Sequence, residues 1–85
     1  MIYHLEVIAH YLKINEEIIL RRLLNEEKAN NCSADDLAKV LCSIVLKNSN
    51  RQLIIDDLEK FIKYIIEQFN KGYTADRIIF NLYER

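Results

Sequence analysis

Apolar residues recur along this chain at the spacing that places them on one face of an α-helix. The stripe of the first segment consists of Ile2, Leu5, Ile8, Ala9 and Leu12. In the second segment, the residues expected to face the core are Ile18, Ile19, Leu23 and Leu24. The third stripe consists of Leu37, Val40, Leu41, Ile44 and Val45. Because no segment sustains the alternation typical of a β-strand, the pattern predicts helices throughout.

Polar residues mark the ends of these segments, since the chain has no proline and one glycine. The expected N-terminal caps are Asn15, Ser33 and Thr74, whose side-chain oxygens suit the free N–H groups of a first turn. The second helix is expected to end between Ala29 and Asn31, and the fourth to begin between Asn50 and Asp56. Gly72 stands where a left-handed residue would end the fourth helix.

The pattern therefore predicts an all-α fold, a compact bundle of four to five short helices in a single domain comprising residues 1–85. Each apolar stripe must be buried against another element, and short connections make neighbouring helices pack together. Hydrophobic residues make up 51% of the chain, which separates it from disordered sequences.

Charge and cysteine content narrow the class of protein. The net charge is −1 and the pI about 6.1, so the chain as a whole has no basic signature for nucleic acid or anionic membrane. Two cysteines, Cys32 and Cys42, without a recognisable signal peptide indicate reduced thiols and a cytoplasmic protein. No uncharged run approaches the roughly 20 residues that span a bilayer, so we expect no membrane partner.

Catalytic signatures are weak. His4 and His10 are six residues apart and fall on different faces of a helix, so they do not form a paired metal site. Cys42 lies beside the third apolar stripe, where a buried thiol acting as a small hydrophobic group is the expected role. One glycine cannot build a glycine-rich phosphate loop. We expect a protein that is not an enzyme and that uses no metal or cofactor.

The residues from Ile8 to Leu23 read IAHYLKINEEIILRRL and resemble the helix-turn-helix of bacterial DNA-binding proteins. In that resemblance Ala9 is the small residue at the helix crossing, and Asn15 caps the recognition helix. Lys13 replaces the glycine that is usual at the turn, where positive φ is favoured, and Arg22 replaces a buried apolar residue. The DNA-facing residues that this interpretation implies are Lys13, Asn15, Leu20, Arg21, Arg22 and Lys28. Glu16 and Glu17 would face the same groove and repel phosphate, so DNA binding is the alternative interpretation.

A second resemblance involves the end of the chain. Ala75-Asp76-Arg77-Ile78, followed by Leu82, is similar to the tail of the AriR/YmgB type of small enterobacterial regulators. Those proteins are helical and dimeric and are linked to biofilm and acid-resistance control. The resemblance implies a small regulator and assigns no site residues.

The fourth segment has the broadest apolar stripe. Its candidate interface residues are Leu58, Phe61, Ile62, Ile65, Ile66 and Phe69. Its polar face is expected to form the acid-first pairs Asp56–Lys60, Glu59–Lys63 and Glu67–Lys71. Because one or two small neighbours would not cover such a stripe, we expect a homodimer or another protein partner. The leading hypothesis is thus a non-enzymatic intracellular regulatory or adaptor protein that acts through protein–protein contact.

Overall fold

The computed structural model describes residues 4–84, of which 77% are helical. The helices are α1 (Leu5–Leu12), α2 (Glu16–Asn30), α3 (Ala34–Lys47), α4 (Ile55–Asn70) and α5 (Ala75–Tyr83). None of the described residues forms a strand, so the predicted all-α bundle is confirmed. Ile2, which belongs to the first predicted stripe, lies outside the described residues. Within residues 4–84 no helix has both the length and the apolar composition of a bilayer span.

The third helix forms the centre of the bundle. Its buried residues are Ala34, Leu37, Ala38, Val40, Leu41, Cys42, Ile44 and Val45. At about 100° per residue they spread over roughly 200° of its circumference, about twice the width of an ordinary amphipathic stripe. All four other helices pack against α3, whereas α4 and α5 make few contacts with each other. The two helices after α3 are therefore held by a shared neighbour more than by one another.

The helix starts are fixed by local hydrogen bonds that the sequence predicted. Asn15 accepts from the Glu17 N–H at 2.8 Å, Ser33 from the Asp36 N–H at 3.4 Å, and Thr74 from the Arg77 N–H at 3.2 Å. All three expected caps are confirmed, and α2 ends within the expected interval.

The loop between α3 and α4 is closed by a buried carboxylate. Ile54 occupies the N-cap of α4 and has no capping side chain. Asp57, three residues on, closes the helix start from the other side, because its Oδ2 accepts from the Ile54 N–H at 2.8 Å while its own N–H donates to the Ile54 carbonyl oxygen at 3.0 Å. Arg51 donates to both oxygens of Asp57, at 2.9 and 3.2 Å. The Arg51 guanidinium, helped by the Ile54 N–H, lowers the pKa of Asp57 to about 2.

Gly72 has φ of 94°, in the left-handed region that only glycine adopts without strain, so the predicted stop after α4 is confirmed. The expected inward face of α2 was partly wrong. Ile19 and Leu23 are fully buried, but Ile18 is 54% exposed and Leu24 42% exposed. A narrower stripe suffices because α2 packs mainly against α1 and α3 and leaves most of its circumference in solvent.

Replacing Asp57 with Asn should reveal a pH-dependent contribution to stability. A carboxylate whose pKa is lowered by folding stabilises the native state above its unfolded pKa, near 4, and loses that effect as the pH falls through about 2. The difference in unfolding free energy between wild type and Asp57→Asn should be constant above about pH 4 and shrink between pH 4 and pH 2. Urea titrations across this range would measure it. A difference that is independent of pH would contradict the assigned ion pair.

Candidate functional site

The turn between α1 and α2 places a lysine in the left-handed region. Lys13 adopts φ of 56° and donates its N–H to the Ala9 carbonyl oxygen. Ile14 also donates to Ala9, at 3.3 Å, and the helices join through three residues, Lys13 to Asn15. A lysine therefore occupies the left-handed conformation that glycine usually supplies.

Arg22 does not face outward with the rest of the expected DNA-contacting set. It bridges α2 to α4 through Glu59, with Nη2 2.8 Å from Oε1 and Nε 3.0 Å from Oε2. It also pairs with Glu26 one turn along α2. The hydrogen bonds that Arg22 donates to Glu59 lower the pKa of that carboxyl group. The hydrogen bonds that Arg22 donates to Glu59 and Glu26 raise its own pKa. This guanidinium is already neutralised within the fold.

The other expected DNA-facing residues do not form one exposed surface. Arg21 and Lys28 are seven residues apart and share an exposed face of α2, but Arg21 already lies 3.5 Å from Glu17. Leu20 is half-buried, and Asn15 uses its side-chain oxygen as the helix cap. The helix contains four glutamates against three basic residues. The geometry thus leaves Lys13 and Lys28 without an ion pair among the described residues.

The apolar stripe of α4 does not form one exposed surface. Leu58, Ile62 and Ile65 are at most 2% exposed and belong to the core of the chain. The other three are half-buried and line three separate hollows of the surface. Phe61 faces α5, Ile66 faces α2, and Phe69 lies near the start of α5. These three candidate interface residues are therefore not brought together.

The polar face of α4 also differs from the prediction. None of the three expected pairs, Asp56–Lys60, Glu59–Lys63 and Glu67–Lys71, occurs among the ion pairs of residues 4–84. Glu59 binds Arg22 of a neighbouring helix instead. A bidentate contact with a partly desolvated guanidinium is stronger than an exposed pair with a lysine on the same helix.

An open groove with a volume of about 670 Å³ lies between α4 and α5. One wall is formed by α4, and α3 and α5 form the floor and the other wall. The lining residues are Ile44, Lys47, Phe61, Tyr64, Gln68, Lys71, Tyr73, Asn81 and Leu82. The groove exists because α4 and α5 both rest on α3 and scarcely touch each other.

Exposed aromatic side chains are concentrated on α5 and in the turn before it. The large apolar side chains with high exposure include three aromatic ones, Tyr73, Phe80 and Tyr83, exposed by 41%, 50% and 58%. All three lie on α5 or just before it. Arg77 stacks over the Phe80 ring at 5.2 Å and Lys47 over the Tyr83 ring at 5.3 Å. Aromatic residues with neighbouring cations are typical of protein-contact surfaces.

Sequence reasoning found Phe61 but missed most of this groove. Tyr73, Asn81 and Leu82 reach it from a turn and from a short helix, and the pairing of helices decides their position. A signal was nevertheless present within α4. Phe61, Tyr64, Gln68 and Lys71 follow one another at intervals of three and four residues, which places them on one face beside the core stripe.

The other reactive groups, the two cysteine thiols, are not activated as nucleophiles. Burial raises the pKa of the Cys42 thiol, and burial followed by the nearby Glu26 carboxylate raises that of Cys32. Neutral thiols of this kind are poor nucleophiles. Within residues 4–84, no group of three or more histidine, cysteine or acidic side chains is arranged to hold a metal ion.

No protein-family model, curated protein or solved structure matches the chain.

Substituting the two adjacent arginines of α2 should separate a structural cation from a solvent-exposed one. Arg22→Ala removes the bridge to Glu59 and should lower the unfolding free energy by about 1 kcal/mol. The loss is no larger because both side chains of the pair are partly exposed to solvent. Arg21→Ala, on the same helix and with the same change in helix propensity, should stay within about 0.5 kcal/mol of wild type. Urea unfolding measures both. Equal effects would mean that the bridge contributes nothing.

Proposed function

We propose that this chain is a cytoplasmic regulatory or adaptor protein without catalytic activity, which acts through protein–protein contact. The observation that supports it most directly is the groove between α4 and α5, which is lined by the half-buried Phe61 and Tyr64 and the exposed Tyr73. Rigid aromatic side chains supply much of the binding energy of protein interfaces. Both cysteines are free thiols, consistent with a reducing compartment.

We further propose that the chain associates with itself. Ile54 and Ile55, at the start of α4, are 54% and 59% exposed. Ile54 stands at an N-cap, where polar residues are strongly preferred in a helix end that faces water. Contact with a second copy would remove both side chains from water. The resemblance of residues 75–82 to small dimeric regulators supports the same class.

Sedimentation at micromolar concentration should give about twice the chain mass of 10.1 kDa. The double variant Ile54→Asn, Ile55→Asp should sediment as a monomer. It should also fold at least as well as wild type, because Asn suits the N-cap and an acid suits the first turn.

Leu24→Asn provides the control, since Leu24 is 42% exposed on another helix and its loss should leave the dimer intact. A wild-type monomer would refute self-association. A dimer that survives the double variant would place the interface elsewhere.

DNA binding through the α1–α2 hairpin is the second candidate function. It is favoured by the left-handed turn at Lys13 and by the Asn15 cap. Against it stand the ion pairs of Arg21 and Arg22 and the exposed carboxylates of Glu16 and Glu17. Phosphate contacts supply most DNA affinity, so occupied arginines weaken the case.

Gel-shift titration with random-sequence and genomic fragments should show no sequence-dependent complex at physiological salt. The variant Glu16→Gln, Glu17→Gln removes the two carboxylates nearest the would-be groove and should bind DNA more tightly only if α2 reads DNA. A sub-micromolar, sequence-dependent wild-type complex would make DNA binding the leading function.

A further inference from the structure

The groove between α4 and α5 has positive charge on its walls and no negative charge. Its only charged lining residues are Lys47 and Lys71. Lys47 donates one of its three N–H groups to the Leu82 carbonyl oxygen, and its ammonium group lies over the Tyr83 ring. Lys71 forms no ion pair with any described residue. Both ammonium groups can therefore accept an anionic partner.

The two lysines lie toward opposite ends of the groove. Lys71 follows the last residue of α4, and α5 begins four residues later, at Ala75. Lys47 contacts the carbonyl of Leu82, in the last turn of α5. A nine-residue helix such as α5 is about 13 Å long, which gives the approximate length of the groove along that wall. Between them the lining is aromatic, aliphatic or neutral.

The walls of the groove favour a helix as the bound element. They are the side-chain faces of helices, whose backbone groups are already hydrogen-bonded within each helix. An extended peptide would bury N–H and C=O groups without partners here, whereas a helix satisfies its own. A segment as long as the groove corresponds to two or three helical turns.

We propose that the groove binds an amphipathic helix of another protein, with acidic residues near both ends of its apolar face. This inference rests on the proposed protein-binding function and specifies the partner for it. The apolar face would contact Phe61, Tyr64 and Leu82, and the acidic residues would meet Lys47 and Lys71. A basic helix would bring like charges together at both ends of a partly desolvated groove.

Three labelled peptides of about 14 residues serve as probes in fluorescence anisotropy. The acidic probe has leucines at helical spacing and glutamates elsewhere, the basic probe has lysines in place of those glutamates, and a scrambled acidic probe has no apolar face. We expect the acidic probe to bind at least about tenfold more tightly than either of the others. Its affinity should fall as salt is raised.

Gln68 allows a charge to be placed in the middle of the groove with little structural change. It is half-buried and lines the wall formed by α4. Gln68→Lys should tighten binding of the acidic probe and Gln68→Glu should weaken it, each by about threefold. The exposed Gln52, in the loop before α4, provides matched controls, because Gln52→Lys and Gln52→Glu make the same chemical changes outside the groove. Thermal melting would confirm that all four variants fold.

The proposal is supported if the two Gln68 variants change the affinity for the acidic probe in opposite directions while the two Gln52 variants leave it unchanged. Equal or tighter binding of the basic probe would overturn the acidic partner and leave the protein-binding function standing. If no probe binds, or if the Gln68 variants have no effect, the groove is not the contact surface and this inference fails, while protein contact through Ile54 and Ile55 is decided separately by the sedimentation test. If the Gln68 variants instead change the sedimenting mass, a second copy of the chain occupies the groove, which also overturns this inference.

Discussion

The structure depends on the burial of α3 on most of its sides. Eight of its fourteen residues are buried, including the fully buried Leu37, Val40, Leu41 and Val45. A helix of this kind needs neighbours on several sides, and the chain supplies two helices before it and two after it. Each fully buried side chain of this size contributes roughly 1.5–3 kcal/mol, so contacts with α3 dominate the stability of the bundle. The groove between α4 and α5 is a consequence, because both helices pack on α3 and make few contacts with each other.

Ion pairs connect elements that the core alone would leave loosely aligned. Arg22 links α2 to Glu59 on α4, Arg51 ties the preceding loop to Asp57, and Lys39 on α3 meets Asp76 at 2.6 Å. The Lys39–Asp76 pair, with both side chains exposed, adds little free energy. The ion pairs matter for function because they decide which cations remain for a partner. Arg22 is occupied within the fold, whereas Lys71 at the end of the groove has no such partner among the described residues.

The sequence predicted what local interactions determine. The caps at Asn15, Ser33 and Thr74 and the stop at Gly72 each depend on a few consecutive residues, so their chemistry could be recognised without knowing the fold. The inward face of α2 and the single α4 surface could not be predicted in the same way. Whether Ile18 is buried, or which hollow Phe61 faces, depends on which helix lies alongside. The Arg22–Glu59 bridge joins residues 37 positions apart. The spacing within α4 instead predicted that Glu59 would pair with Lys63, one turn along the same helix.

Native-state hydrogen exchange tests the central role of α3 most directly. Amides of residues 40–45 should exchange only through global unfolding, with a free energy equal to that from urea denaturation. Amides of α5 and of the outer turns of α2 should exchange through smaller openings that leave α3 protected. The contrary result would be exchange of α3 through partial opening while α1 and α2, or α4 and α5, stay protected. That result would mean that these helix pairs are stable without α3 and that the groove between α4 and α5 is not positioned by α3.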